Sequence, residues 1–237
     1  MKLYYDFHIH SALSPCADDG NTPCDIVQMA ALKGLDAIAV SDHNSVKNCA
    51  AAMEVGGKLG LLVLPAMELT TSEDVHILCL FTDILRAEEF ERQVRGGMLK
   101  IPNKPHVFGR QLIMDSCDNV TGEETDYLSV ASAIGSHTVA EAVRKLGGVA
   151  LPAHIDRSSN GMLSILGGVP DDFGFKAVEI SPHSPPGLKE RFLSRGYRVA
   201  QNSDAHTLGA ISERGSFIEV SARSAETVVR FFSGLDC

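Results

Sequence analysis

Two of the nine histidines in the chain stand two residues apart in "DFHIHS" (residues 6–11), just ahead of the acidic pair Asp18 and Asp19 in "SPCADDG". On an extended strand the apolar Phe7 and Ile9 face one way and both imidazoles, His8 and His10, face the other. Comparable groups recur along the chain: Asp42 and His43 in "VSDHN", Glu68 in "AMEL", His76 in "VHIL", His154 in "PAHIDR", and Asp204 and His206 in "NSDAH". A lone histidine is ordinarily a core or surface residue. Here seven of the nine, His8, His10, His43, His76, His154, His183 and His206, fall within or at the end of an expected strand. Imidazoles and carboxylates crowded at one end of a sheet are costly to bury unless a cation compensates them. A divalent metal provides that compensation, and a mixed nitrogen and oxygen donor set accepts Mn, Fe or Zn. A carboxylate such as Glu68 can bridge two cations, as phosphoester-cleaving two-metal sites require.

The elements that must hold these groups alternate. Thr22 as N-cap, Pro23 at the first helical position and Gly34 as the stop predict a helix before the strand "LDAIAVSDH". A helix from Val46 to Leu59, the strands "LLVLPAMEL" and "VHILCLF" and a charged helix around "ILRAEEFERQV" follow. Thr138 with Glu141 predicts a capping box, and strands and helices alternate again to a last helix from Ala225 to Phe232. Short apolar strands between helices imply a parallel sheet buried on both faces. The polar groups gather where several strands end, which favours a barrel over an open doubly wound sheet. Residues 96–136 break the rhythm with glycines, prolines and the hairpin-like "QLIMDSCDNVTGEE", and are expected to be an irregular insertion or lid within one domain spanning 1–237.

Composition narrows the function classes. With 44% hydrophobic and 22% charged residues and no apolar run of membrane-spanning length, the chain reads as a soluble cytoplasmic protein with no membrane partner. Its six cysteines include no CxxC pair and are expected to be reduced thiols. A net charge of -9 argues against duplex nucleic acid as a partner but not against a nucleotide, because bound cations reverse the local sign. The tract "GGKLG" lacks the spacing of a phosphate-binding loop. His106 and His137 read as structural or exposed.

Taken in order, "DFHIHS", "VSDHN", "AMEL" with "VHIL", "PAHIDR" and "NSDAH" resemble the motifs of the PHP (polymerase and histidinol phosphatase) domain family, over Asp6 to about Gly209. The resemblance implies a distorted (β/α)7 barrel with three divalent metal ions at the C-terminal ends of its strands. It places His8, His10, Glu68 and Asp204 on the first ion, with Glu68 bridging to a second completed by His76 and His154. The third would take His43, His206 and an acid of the first loop; Asp18 is favoured, with Asp19 close behind. That loop is longer here than the family pattern.

The implied activity is hydrolysis of a phosphomonoester by metal-activated hydroxide, with Glu68 and Asp204 at its centre. The chain looks closest to the freestanding TrpH/YciV-like phosphoesterases, whose substrates include nucleoside 3',5'-bisphosphates and RNA 5' ends. Arg157 suits a phosphate or a solvated loop; His183 suits a substrate contact, a general acid or a turn; His206 is a second proton donor. Asp42 either orients a ligand imidazole or caps a turn. Rival readings are a histidinol-phosphate phosphatase, an amidohydrolase-type C–N hydrolase and a noncatalytic PHP module.

Overall fold

In the computed structural model, which describes residues 1–235, strands and helices alternate from the first residues onward. The first half comprises β1 (Lys2–Ile9), α1 (Pro23–Leu32), β2 (Ala37–Val40), α2 (Cys49–Leu59), β3 (Leu62–Thr70), β4 (His76–Leu80) and α3 (Ile84–Gly96). Next come α4 (Pro105–Phe108), β5 (Leu112–Met114), β6 (Val120–Glu123), α5 (Ser136–Lys145), β7 (Val149–Pro152) and α6 (Met162–Leu166). The chain finishes with β8 (Ala177–Ile180), α7 (Leu188–Ser194), β9 (Arg198–Gln201), β10 (Phe217–Glu219) and α8 (Ala225–Phe232). Among the described residues no helix is long and apolar enough to cross a membrane. Cys16, Cys24, Cys49, Cys79 and Cys117 are free thiols, and Cys237 lies outside the described residues.

Local chemistry sets most boundaries. The Thr22 side chain accepts from Asp25 N and Pro23 occupies the first turn of α1, while Gly34 closes it at φ 74°. The expected capping box at Thr138 is absent. Helix α5 begins earlier, after Gly135, and the Glu73 carboxylate accepts from Ser136 N (3.0 Å) and Ser136 Oγ (2.9 Å). A distant carboxylate thus satisfies the first-turn donors and opposes the helix dipole.

The sheet is mixed, where an all-parallel one was expected. Strands run in the order β10-β1-β2-β3-β4-β7, with β1, β2 and β3 parallel but β4 antiparallel to both β3 and β7. Residues 71–75, the link between β3 and β4, are too few for a parallel crossover, which needs about a dozen residues. The parallel pair β8-β9 stands apart but is tied at both sides: Ile155 N donates to Glu179 O (2.9 Å), and His10 N to Ala205 O (2.9 Å) across a parallel bridge. The sheet therefore curls part of the way toward a barrel.

Two apolar layers follow from this curl. Leu3, Tyr5, Phe7, Ala37, Ala39, Leu64, Ala66, Leu78, Leu80, Leu151, Ala177 and Ala200 meet inside it with Phe232 of α8, whereas Ile9, Ile38, Val40, Met67 and Ile77 pack outward with the other helices. Phe7 and Ile9 were expected on one face, yet they lie in different layers. A register shift between Asp6 and Ile9 turns the strand there, so that His8 continues above Phe7 on the inner side.

Candidate metal centre

Above the inner apolar layer the same faces turn polar. Glu68 follows Leu64 and Ala66 along β3, and His76 precedes Leu78 and Leu80 along β4. Because β4 runs backward, its first residue reaches the mouth formed by the last residues of its neighbours. His154 and Asp204 arrive from just beyond β7 and β9 in left-handed backbone, with φ of 28° and 54°. For non-glycine residues that conformation costs about 1–3 kcal/mol and is retained where the surroundings enforce it.

Five imidazoles ring the buried Glu68 carboxylate. Oε1 lies 2.8 Å from His76 Nδ1, 3.0 Å from His154 Nε2 and 3.3 Å from His8 Nε2; Oε2 lies 3.1 Å from His43 Nδ1 and 3.3 Å from His10 Nε2. Asp204 Oδ1 stands 3.1 Å from His10 Nε2 and 3.4 Å from His8 Nε2. The structure thus brings together His8, His10, His43, Glu68, His76, His154 and Asp204. His206 stacks on His10 with ring centroids 4.3 Å apart.

Hydrogen bonding decides which nitrogens point inward. His8 Nδ1 lies 3.0 Å from both Glu179 oxygens, which can only accept, so its Nε2 lone pair faces the cavity. His10 Nδ1 lies 2.9 Å from Ser14 Oγ, whose own proton goes to Asp42 Oδ1 at 2.7 Å. Asp42 therefore orients His10 through Ser14 and also holds Ser11 through its backbone and hydroxyl. The two inward nitrogens, His8 Nε2 and His10 Nε2, are 3.2 Å apart. Two lone pairs and two carboxylates then share one dry space, and only a proton or a metal ion relieves them.

In the metal-free protein protons take that role. Burial would lower His8, but Glu179, Asp204 and Glu68 raise it well above the usual imidazole value, and against the same burial Asp204 and Glu68 lift His10 to about 9. Burial would raise Glu68 and Asp204, yet neighbouring imidazoles hold both below the usual carboxylate range. Burial pushes His43 well down; its Nδ1 lies 3.1 Å from Glu68 Oε2 without the alignment of a hydrogen bond, and His154 Nδ1 has no hydrogen-bond partner among the described residues. Imidazole nitrogens gathered around the Glu68 carboxylate fit divalent cations in donor type and placement.

A cavity of about 680 Å³ opens above this centre, lined among others by Cys16, His43, Glu68, His76, His154, Arg157, His183 and His206. Arg157 Nη1 reaches Asp204 Oδ2 at 2.5 Å with the guanidinium side chain 43% exposed. His183 is exposed at the rim. Asp18 does not join the cluster: it is exposed and its Oδ1 accepts from Gly20 N at 2.7 Å. Asp19 is exposed as well. The metal-capable group on that side consists of His10, Cys16, His43 and His206. Sequence reasoning also passed over Glu179, whose one signal is an acid among the apolar residues of "AVEI", all four of them buried.

No protein-family model matches the chain. Over 80 residues it is 31% identical to the phosphoribosyl 1,2-cyclic phosphate 1,2-diphosphodiesterase of Eggerthella lenta, a match covering 32% of this chain and 29% of that relative. Among solved structures, the lesion-specific endonuclease Q of Pyrococcus furiosus superposes with a TM-score of 0.73 at 17% identity, covering all of this chain and 57% of the endonuclease. An endonuclease Q complex with a 27-mer duplex carrying an abasic lesion gives a TM-score of 0.72 at 16% identity, over 100% of this chain and 57% of that one. A metal-dependent phosphoesterase from Bifidobacterium adolescentis gives 0.61 at 20% identity, over 98% of this chain and 96% of that one. A two-domain Bacteroides vulgatus protein containing a PHP-like metal-dependent phosphoesterase gives 0.61 at 16% identity, over 99% and 63%. The chain thus spans less than a third of the curated relative and little more than half of endonuclease Q.

Proposed function

We propose that this chain, which has the fold of PHP-type metal-dependent phosphoesterases, hydrolyses a phosphate ester in the cavity above Glu68. The observation that carries the reading is the pair of inward imidazole nitrogens 3.2 Å apart beside Glu68 and Asp204. We read β1, β2, β3, β4, β7, β8 and β9 as one distorted (β/α)7 barrel with β4 reversed, and the whole chain as one domain with residues 96–136 inserted in it.

His8, His10, Glu68 and Asp204 would hold one cation and Glu68, His76 and His154 a second, with His43 and His206 on a third. Bound divalent cations supply Lewis acidity and a water acidified toward neutral pH. The remaining work belongs to the chain itself. Glu179 and the Ser14–Asp42 relay fix the tautomers of His8 and His10. Arg157, half in solvent and resting on Asp204, would swing to the nonbridging phosphate oxygens, where a planar guanidinium suits a developing charge. His183, exposed at the cavity rim outside the imidazole cluster, would protonate the leaving oxygen. His206 is the poorer donor, because its Nδ1 is 2.8 Å from the Asp204 carbonyl and the residue itself would hold the third cation.

The preferred substrate is a phosphomonoester, with a nucleoside 3',5'-bisphosphate or an RNA 5' end favoured. A second reading, a nucleic-acid chain, is favoured by one surface. Residues 92–114 carry Arg92, Arg95, Lys100, Lys104 and Arg110; Arg92, Arg95 and Arg110 are paired with Glu89, Glu124 and Glu123, which leaves Lys100 and Lys104 without a carboxylate partner among the described residues. That segment reaches the first loop, where a Cβ on Gly109 would collide with Pro15 O. The two exposed lysines would support contact with a phosphate backbone there.

Phosphate release by manganese-reconstituted protein, against a chelated control, is the test. The substrates are adenosine 3',5'-bisphosphate, histidinol phosphate, a simple phosphomonoester and an abasic duplex oligonucleotide. Chelator-sensitive turnover of the bisphosphate supports the first reading, and strand cleavage supports the second. Metal-loaded protein inert toward all four would sink both.

A further inference from the structure

We infer that Cys16 is a metal ligand: its thiolate, with His43 and His206, forms a zinc-selecting position in the centre, distinct in hardness from the carboxylate-rich positions at Glu68 and Asp204. The inference rests on the reading of the cavity as a metal centre. Cys16, His43 and His206 each offer one donor atom, and these atoms lie within 4.8 Å of one another and of one His10 nitrogen. Around tetrahedral zinc the corresponding spacing is roughly 3.3–3.8 Å, so a small inward movement of the three side chains brings them to one ion and leaves its fourth position open.

Several independent contacts hold Cys16 there. Ala17 N donates to Ser14 O (3.0 Å) and Asp18 N to His206 O (3.0 Å), which ties the loop directly to another member of the group. On its outer side the loop is packed against Gly109. His206 has its Nδ1 committed to the Asp204 carbonyl, which leaves its other nitrogen as the free donor. His43 is only 6% exposed, and its Nδ1, 3.1 Å from Glu68 Oε2, makes no aligned hydrogen bond among the described residues. The carboxylate expected in this position, Asp18, instead closes its own turn onto Gly20.

The donor set has a consequence for metal choice. One thiolate and two imidazoles favour zinc over magnesium or manganese, whereas the Glu68 and Asp204 positions with their oxygen ligands accept harder ions. A cation at Cys16 also requires the thiol to ionise, so zinc binding there releases a proton.

Cobalt reconstitution provides a readout that does not depend on turnover. The cobalt-loaded wild-type chain is expected to show a thiolate-to-cobalt charge-transfer band in the near ultraviolet. Cys16→Ser should lose that band and about one equivalent of tightly bound metal, while Cys16→Asp should restore the equivalent without the band. As a check on the unmodified chain, zinc should slow alkylation of Cys16 while leaving the exposed Cys117 unaffected. A full cobalt complement with no band, or a band that survives in Cys16→Ser, overturns the assignment and leaves the metal centre standing. If no cobalt binds at all, the centre and the assignment fall together.

Discussion

Glu68 and Glu124 are both buried carboxylates, 1% and 7% exposed, and in both burial is outweighed by neighbours that hold the acid below its ordinary range. Their neighbours differ in kind. Glu124 is gripped by Lys47 and, at 2.8 Å, by Arg95, two permanent cations that neutralise it in every state of the protein. Glu68 faces five imidazoles, which carry charge only when protonated and otherwise present lone pairs. The first arrangement is complete as folded and serves to pin residues 96–136 to the body. The second is complete only with added cations, which is what a binding site requires.

Exchanging the acids tests that contrast most strongly. Glu68→Gln is expected to lose bound metal and to lower turnover by about 10³-fold or more. Glu124→Gln should leave metal content and turnover unchanged, and elemental analysis beside a phosphate-release assay reads both. A metal-replete, active Glu68→Gln protein would erase the distinction.

Glu179→Gln is the next largest effect. It leaves His8 a partner but not a carboxylate, and metal affinity should fall roughly 10–100-fold by competition with a chromogenic chelator. Unaltered affinity would mean that the pairing at 3.0 Å does not set the basicity of His8.

Stability should respond in the opposite pattern. Glu124→Gln is expected to cost about 1–3 kcal/mol through its lost charge-assisted hydrogen bonds, measured by denaturant unfolding of the metal-loaded protein. Because the folded-state Glu124 carboxyl is depressed from 4.5, its contribution is present above that value and disappears only as pH falls through the folded value.

The smallest effect is a pH dependence confined to the metal-free state. His10 rises from 6.5 to about 9, so its stabilisation is fully present below 6.5 and is lost as pH climbs toward 9. The melting temperature of metal-free protein should therefore fall across that window, and that of metal-loaded protein should not. Calorimetry in buffers of different ionisation heat should show protons released on metal binding at pH 7. A flat metal-free profile would remove the argument that protons stand in for metal.

Much of this site can be read in the primary structure. The residue types and strand-end positions of His8, His10, His43, Glu68, His76, His154, Asp204 and His206 single them out, because local alternation decides which side chains share a face. The helix starting at Pro23 and the one spanning Ala225 to Phe232 are equally legible, since caps and periodicity act over a few residues. What tertiary structure alone decided involves partners far apart in sequence. It reversed β4, which is why His76 reaches the mouth from the start of a strand. It placed the Glu73 carboxylate on the first turn of α5, set Glu179 behind His8 across 171 residues, and brought the Cys16 thiol rather than the Asp18 carboxylate to the His206 ring. Sequence spacing reports direction along one strand; the closing of distant strands around a common charge is settled only when the sheet curls and every buried donor must find its acceptor.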